Sequence, residues 1–174
     1  TSVIANIEAK STSAITDFNV ILNEKTYQTA RVVTSSGTDA NSVVTLTGNV
    51  EGLSNGHYVS FVGADQGNLT STYKITNLTS STFTINDNSK THLATSGNLN
   101  YIAHSTSTSA NTIVVSNAHG LSNNDNVYIT TTVPVTNTIE SIFFNISNVT
   151  TNTFEIVSNI LFSNISGSYG KKNS

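Results

Sequence analysis

One pattern occurs twice in this chain. Residues 52–55 read Gly-Leu-Ser-Asn, and residues 120–123 read the same. YKITNLTSSTFTI follows the first and ends at Ile85; FNISNVTTNTFEI follows the second and ends at Ile156. The turns lie 68 residues apart, and the pairs Thr82-Phe83 and Thr153-Phe154 lie 71 apart. Upstream, ANSVV at 40–44 lines up with ANTIV at 110–114. Matches in one order at near-constant spacing mean one structural unit made twice. Each unit has about 60 residues, which buries only a thin core and is marginal alone. Packing between the copies, or against other subunits, is therefore expected to add stability.

The type of unit follows from the residues. Ser, Thr and Asn make up 77 of 174 positions, and charged residues only 10%. The apolar residues are mostly Val, Ile, Leu, Phe and Tyr, which favour strands. Five short alternating runs recur in each copy. In the first they are VVTLT, YVSFV, YKITN, TSSTFTI and NLNYI; in the second, TIVVS, NVYIT, IFFNISN, TFEIV and a last segment from Ile160 to Tyr169. No segment carries an apolar 3.6-residue period long enough for a helix. The fold expected is all-β: two tandem small antiparallel β-barrel or sandwich repeats, preceded by a strand-rich N-terminal arm. The divisions read as an arm or hairpin at 1–39, the first repeat at 40–103, a Ser/Thr linker at 104–109, the second repeat at 110–170 and a tail at 171–174. Leu53 and Leu121 are expected to plug the barrel ends. Phe83 and Ile85, and their counterparts Phe154 and Ile156, are expected in the cores. In the arm, Phe18, Val20 and Leu22 alternate on one face, as do Val3, Ala5 and Ile7. Such a face must pair with something, either the first domain's own sheet or a neighbouring subunit to which the arm adds strands. Between the second and third strands the copies diverge: GADQGNLTS in one, and in the other a longer loop with the single proline, Pro134.

The run HGLSNNDNVYI followed by FNISNVTTNTFEI resembles a repeat of bacteriophage virion proteins, in which a His-Gly-Leu turn with Asp or Asn leads into a strand and later a Thr-Phe strand. Such repeats are commonly labelled similar to the first catalytic-cysteine half-domain of ubiquitin-activating enzymes. The resemblance covers both copies and not the first 39 residues. It implies a small β-barrel and a place in a virus particle. It does not imply the enzyme's activity, since the chain has no cysteine and no nucleotide-binding motif. The first copy departs from it at Glu51, where the second has His119, and at His57, where the second has Asp125.

Little else points to chemistry. The net charge of −3 leaves no basic surface for nucleic acid; Lys171-Lys172 reads as a solvated end. Without cysteine there is no disulfide and no thiolate metal site. His119 reads as an imidazole bonded to its turn, with metal ligation the alternative. His57, His92 and His104 lack metal-ligand spacing and read as surface histidines. Asn123 to Asn126 and Asn86 to Asn88 are oxygen-rich, but one Asp in each is poor for calcium, which favours several carboxylates; turn chemistry is the expectation. The carboxylates Glu140 and Glu155 form no recognisable acid–base pair. No catalytic residue, metal or cofactor is expected, and the chain reads as a non-enzyme. The five Asn-x-Ser/Thr sequons, at Asn68, Asn77, Asn145, Asn148 and Asn164, are no more than this composition yields by chance.

No apolar run is long enough to span a bilayer, and TSVIANIEAK has neither the basic start nor the apolar core of a secretion signal. A Thr start fits removal of an initiator methionine. Two readings reconcile a polar, uncharged surface with no visible signal. The first is a virion structural protein, folded in the host cytoplasm and carried on the particle exterior as head decoration or tail appendage. Its partners would be other virion proteins and further copies of itself. The second is a secreted adhesion module that binds host-surface glycans through Tyr58, Tyr128 or Tyr169.

Overall fold

Alternation sets the architecture. A computed structural model describes residues 25–106, 111–131, 143–158 and 166–172, and among them strand is almost the only regular structure, at 55% against 2% helix. The order is β1 (Lys25–Gln28), β2 (Ala30–Thr38), β3 (Val43–Gly48), β4 (Tyr58–Val62), β5 (Thr72–Lys74), β6 (Thr82–Asn86) and β7 (Thr95–His104). Then come β8 (Asn111–Val115), β9 (Asn126–Thr131), β10 (Phe143–Ser147), β11 (Thr153–Val157) and β12 (Ser166–Lys171). A single 3₁₀ turn, Ala64–Gln66, opens the loop after β4. Phe18, Val20, Leu22, Val3, Ala5, Ile7, most of the Pro134 loop (132–142) and residues 160–165 of the last segment lie outside the described residues.

The pairings build two barrels. β1-β12-β9-β10-β11-β8 run antiparallel, and the contact of Gln28 with Val115 closes the ring. β7-β2-β3-β6 and β4-β5 surround the other core, with β4 beside β7 and the gap between β5 and β6 spanned by the bridge Thr76–Thr84. Closure pairs the backbone groups that an open edge would leave free. Inward residues fill each barrel: Val33, Leu46, Phe61, Phe83, Ile85 and Tyr101 in the first, and Tyr27, Val114, Ile129, Phe154, Ile156 and Tyr169 in the second. Phe83 meets Tyr101 edge-on at 5.3 Å and 66°; Phe154 meets Tyr169 at 5.3 Å and 64°. Leu46 sits opposite Phe83 and Val114 opposite Phe154, so β8 matches β3 at a spacing of 68 residues, two fewer than the 70 at which ANSVV and ANTIV line up.

The segment expected as an arm is divided between the barrels. β2 pairs with β3 and β7, so residues 30–38 belong to the first barrel. β1 pairs with β12 and β8, so residues 25–28 belong to the second. Arg31 faces Tyr101 on β7, and Lys25, six residues earlier, faces Tyr169 on β12. Each barrel therefore takes its first strand from one continuous ribbon that crosses over at the buried Thr29. The first barrel, residues 30–104, is inserted between the first and second strands of the other. The expected linker shrinks at its start, because His104 lies in β7 and pairs with Thr112 of β8. At the other end Lys171 lies in β12 and is bonded to Asp125 at 2.9 Å, so the expected tail begins inside a strand.

Candidate functional site at the junction of the barrels

The two Gly-Leu-Ser-Asn turns have the same internal wiring. His57 N–H donates to Ser54 O and Asp125 N–H to Ser122 O. The Ser54 amide donates to His57 Nδ1 at 3.1 Å, and the Ser122 amide to Asp125 at 2.9 Å. Asn55 Oδ1 accepts from the Leu78 amide at 2.9 Å, and Asn123 Oδ1 from the Val149 amide at 3.1 Å. Histidine and aspartate at this position thus perform one task, accepting a backbone hydrogen bond. Gly52 and Gly120 hold φ of 73° and 69°, which costs glycine little and other residues about 1 kcal/mol or more.

What surrounds the turns differs. The first turn is seated against the second barrel. A Cβ on Gly52 would lie 2.8 Å from the Thr153 side chain, whereas among the described residues a Cβ on Gly120 would meet no atom within 4 Å. Leu53 is buried in the first core, while Leu121 is only partly buried on the second. Between the barrels lies a cleft of about 290 Å³, lined among others by Gly52, Ser54, His57, Ile113, Asn148 and Glu155. Asn152 Nδ2 donates to Glu51 Oε1 at 2.7 Å across it. Ile113, an outward residue of the second barrel, is buried in the core cluster of the first, a burial that contributes about 1.5–3 kcal/mol.

Polar groups complete the junction. The Glu155 carboxylate is buried and accepts from Ser105 Oγ and Asn148 Nδ2, both at 2.5 Å. The Arg31 guanidinium is buried, donates through Nη1 to Glu51 O at 2.5 Å and stands 5.7 Å over the Tyr101 ring. Lys25 plays the matching part in the second barrel, donating to Ala118 O and His119 O at 2.8 and 3.0 Å. Burial lowers the pKa of His57; Glu155 acts against this and Arg31 with it.

The histidines depart from expectation. His92 and His104 are buried rather than at the surface, and His57 is partly buried. His104 Nε2 lies 3.0 Å from Ser60 Oγ, its Nδ1 is buried without a partner, and burial pushes its pKa down to about 4. His92 Nε2 lies 2.9 Å from Ser35 Oγ; burial lowers its pKa, partly offset by Asp87. His119 Nδ1 accepts from the Leu121 amide at 3.0 Å, which leaves Nε2 to donate to Thr153 O at 3.2 Å. Its imidazole is a brace of the turn and stands edge-on to Phe154.

The oxygen-rich clusters also serve their turns. Burial raises the pKa of Asp87, but hydrogen bonds from Ser89, Thr38 and the His92 backbone outweigh it and hold the carboxyl below its usual value. Asp125 is likewise held low, with burial opposed by the Lys171 ammonium and the Ser122 amide. Among the described residues no group of three or more His, Asp or Glu is placed to hold a metal ion, and no helix is long and apolar enough to cross a membrane. Of the tyrosines considered for glycans, Tyr58 and Tyr128 are half-buried and Tyr169 lies inside the second core.

His57 has its acceptor nitrogen engaged, and Glu155 has both oxygens hydrogen-bonded. The arrangement holds the two barrels together. Arg31, Ile113 and Glu155 escape a reading of motifs. Matched by strand pairing, Ile113 and Glu155 stand where the first copy has Thr45 and Thr84; the Thr-Phe marker exposes the second mismatch in the sequence, whereas ANSVV against ANTIV sets Ile113 on Val43 and hides the first. Comparison with family models, curated proteins and solved structures finds no match.

Proposed function

We propose that this chain is a non-enzymatic structural subunit of a bacteriophage particle, carried on the exterior as head decoration or tail appendage and assembled in the host cytoplasm. The observation that carries the reading is how the polar side chains are used. His57, Asp87, Glu155, His119 and Asp125 all brace turns or the junction. The outward face of the first barrel presents hydroxyls rather than charges, at Thr34, Thr45, Thr47, Thr82 and Thr84. Rigid closed barrels with an uncharged surface suit a protein that must persist outside the cell and contact other virion proteins. The test is a mass-spectrometric inventory of purified particles, with antibody labelling of intact particles. The chain is expected in the particle and accessible to antibody. Purified particles that lack it refute the reading.

A second reading has its own observation. Tyr128 and Phe143 are cross-strand partners on the outside of the second barrel, with ring centroids 5.6 Å apart and Lys172 Nζ 5.0 Å from the Phe143 ring. Adjacent aromatics beside a polar group form a platform on which a sugar can stack. Specific binding on a glycan array, lost in Tyr128→Ala, would favour an adhesion module.

A further inference from the structure

The junction within the chain joins two different surfaces. One is a turn, with Gly52, Ser54 and His57; the other is a sheet face, with Ile113, Thr153 and Glu155. Because the unit occurs twice, each surface exists twice, and among the described residues one of each has no partner surface. The second barrel keeps its own turn, Gly120, Ser122 and Asp125, with no described residue close above Gly120 and with Leu121 only partly buried. The first barrel keeps its own face, with Thr45, Thr82 and Thr84 at the positions of Ile113, Thr153 and Glu155. These threonines are partly exposed, whereas their three counterparts are buried. The face is also ordered: Thr47 pairs with Thr82 and Thr45 with Thr84 across β3 and β6, and Thr84 Oγ1 lies 2.8 Å from Thr76 Oγ1.

We propose that these two surfaces join copies of this chain head to tail: the 120–125 turn of one copy seats on the β3–β6 threonine face of the next. The occupant is a second copy because the chain already makes this contact once, between equivalent strands and turns. The contact is heterologous, so it propagates into a ring or a filament rather than stopping at a symmetric pair. It is weaker than the internal junction, because Thr45 replaces the buried Ile113. By the internal pattern, in which His57 and Glu155 line one cleft, Asp125 of one copy would face Thr84 of the next. This inference does not depend on a place in a virus particle.

The chain has no cysteine, so engineered thiols report cleanly. Ser81→Cys marks the face, at the counterpart of Asn152, and Ser122→Cys marks the turn; both positions are exposed. The full chains are mixed and treated with a short bismaleimide. The expected result is a crosslink between the two variants in clear excess over either variant with itself. Thr45→Ile in the face partner should raise the yield about tenfold at limiting concentration, because one buried isoleucine corresponds to at least that factor. Thr84→Lys should raise it and Thr84→Glu lower it, through Asp125. Each variant is checked for unchanged unfolding, so that a lost crosslink reports the contact and not the fold. Crosslinking only between like variants, or no crosslink together with a monomer at every concentration in sedimentation, overturns the proposal.

Discussion

Lowering the pH from 6.5 toward 4 should loosen this protein through His104. The imidazole lies on β7 opposite Tyr58 of β4 and Thr112 of β8, where the barrels meet. Its one hydrogen bond is to Ser60, and Nδ1 is buried without a partner. Its pKa falls from the ordinary 6.5 to about 4 through burial. Between those values the unfolded chain binds a proton that the folded chain does not. Stability is therefore complete above 6.5, declines as pH falls toward 4, and levels off below. The difference corresponds to ~3 kcal/mol, a large part of the 5–15 kcal/mol typical of a folded protein. Urea unfolding across this window, for the parent and for His104→Asn, measures it. Burial lowers the pKa of His57 and His92 as well, so the variant should keep a shallower slope. The gap between the two curves is the share of His104. Parallel curves would refute the reasoning.

Three further outcomes are expected. Gly120→Ala should cost about 1–2 kcal/mol from its backbone angle alone, whereas Gly52→Ala should cost about 1–3 kcal/mol more, because the new methyl meets Thr153; thermal or urea unfolding of the pair separates the two terms. A chain truncated to begin at Thr29 should lose hydrogen-exchange protection in β8 and β12 while keeping it in β3 and β6, since β1 serves the second barrel alone. Phe83→Ala and Phe154→Ala should each destabilise by about 3–5 kcal/mol, read from urea midpoints, because the two rings hold equivalent places.

The inside of each barrel was legible in the sequence, because strand alternation and the Thr-Phe marker act locally. Phe83 and Phe154, which the Thr-Phe marker sets 71 residues apart, are both buried in the cores. The ownership of strands was not legible. Lys25 to Gln28 is four residues long, and its partners on β12 lie near the other end of the chain, so no local pattern ties them together. The burial of His104 was hidden for a related reason. Alternation separates inward from outward, but does not show which outward residues meet another barrel. The Glu155 mismatch with Thr84 carried that information through the Thr-Phe marker, but Ile113 did not, since ANSVV against ANTIV sets it on Val43. Of the segment before residue 40, residues 30–38 complete the first barrel's sheet, one of the two expected partners, whereas residues 25–28 join the second barrel, which no local pattern signals.

The insertion of one barrel into the other also decides how the molecule bears force. Lys25 and Tyr169 are neighbours on adjacent antiparallel strands, so tension applied through Lys25 and Lys171 enters at one corner of the second barrel. It peels β1 from β12 rung by rung, starting at Lys25–Tyr169, instead of shearing all the rungs together. Antiparallel rungs broken in sequence yield at lower load than the same rungs broken at once. The first barrel, held by its two crossings near Thr29 and Ser105, lies off the load path until β1 has come away. The second barrel would then act as the yielding link, and the first would keep its shape and its threonine face while the link stretches.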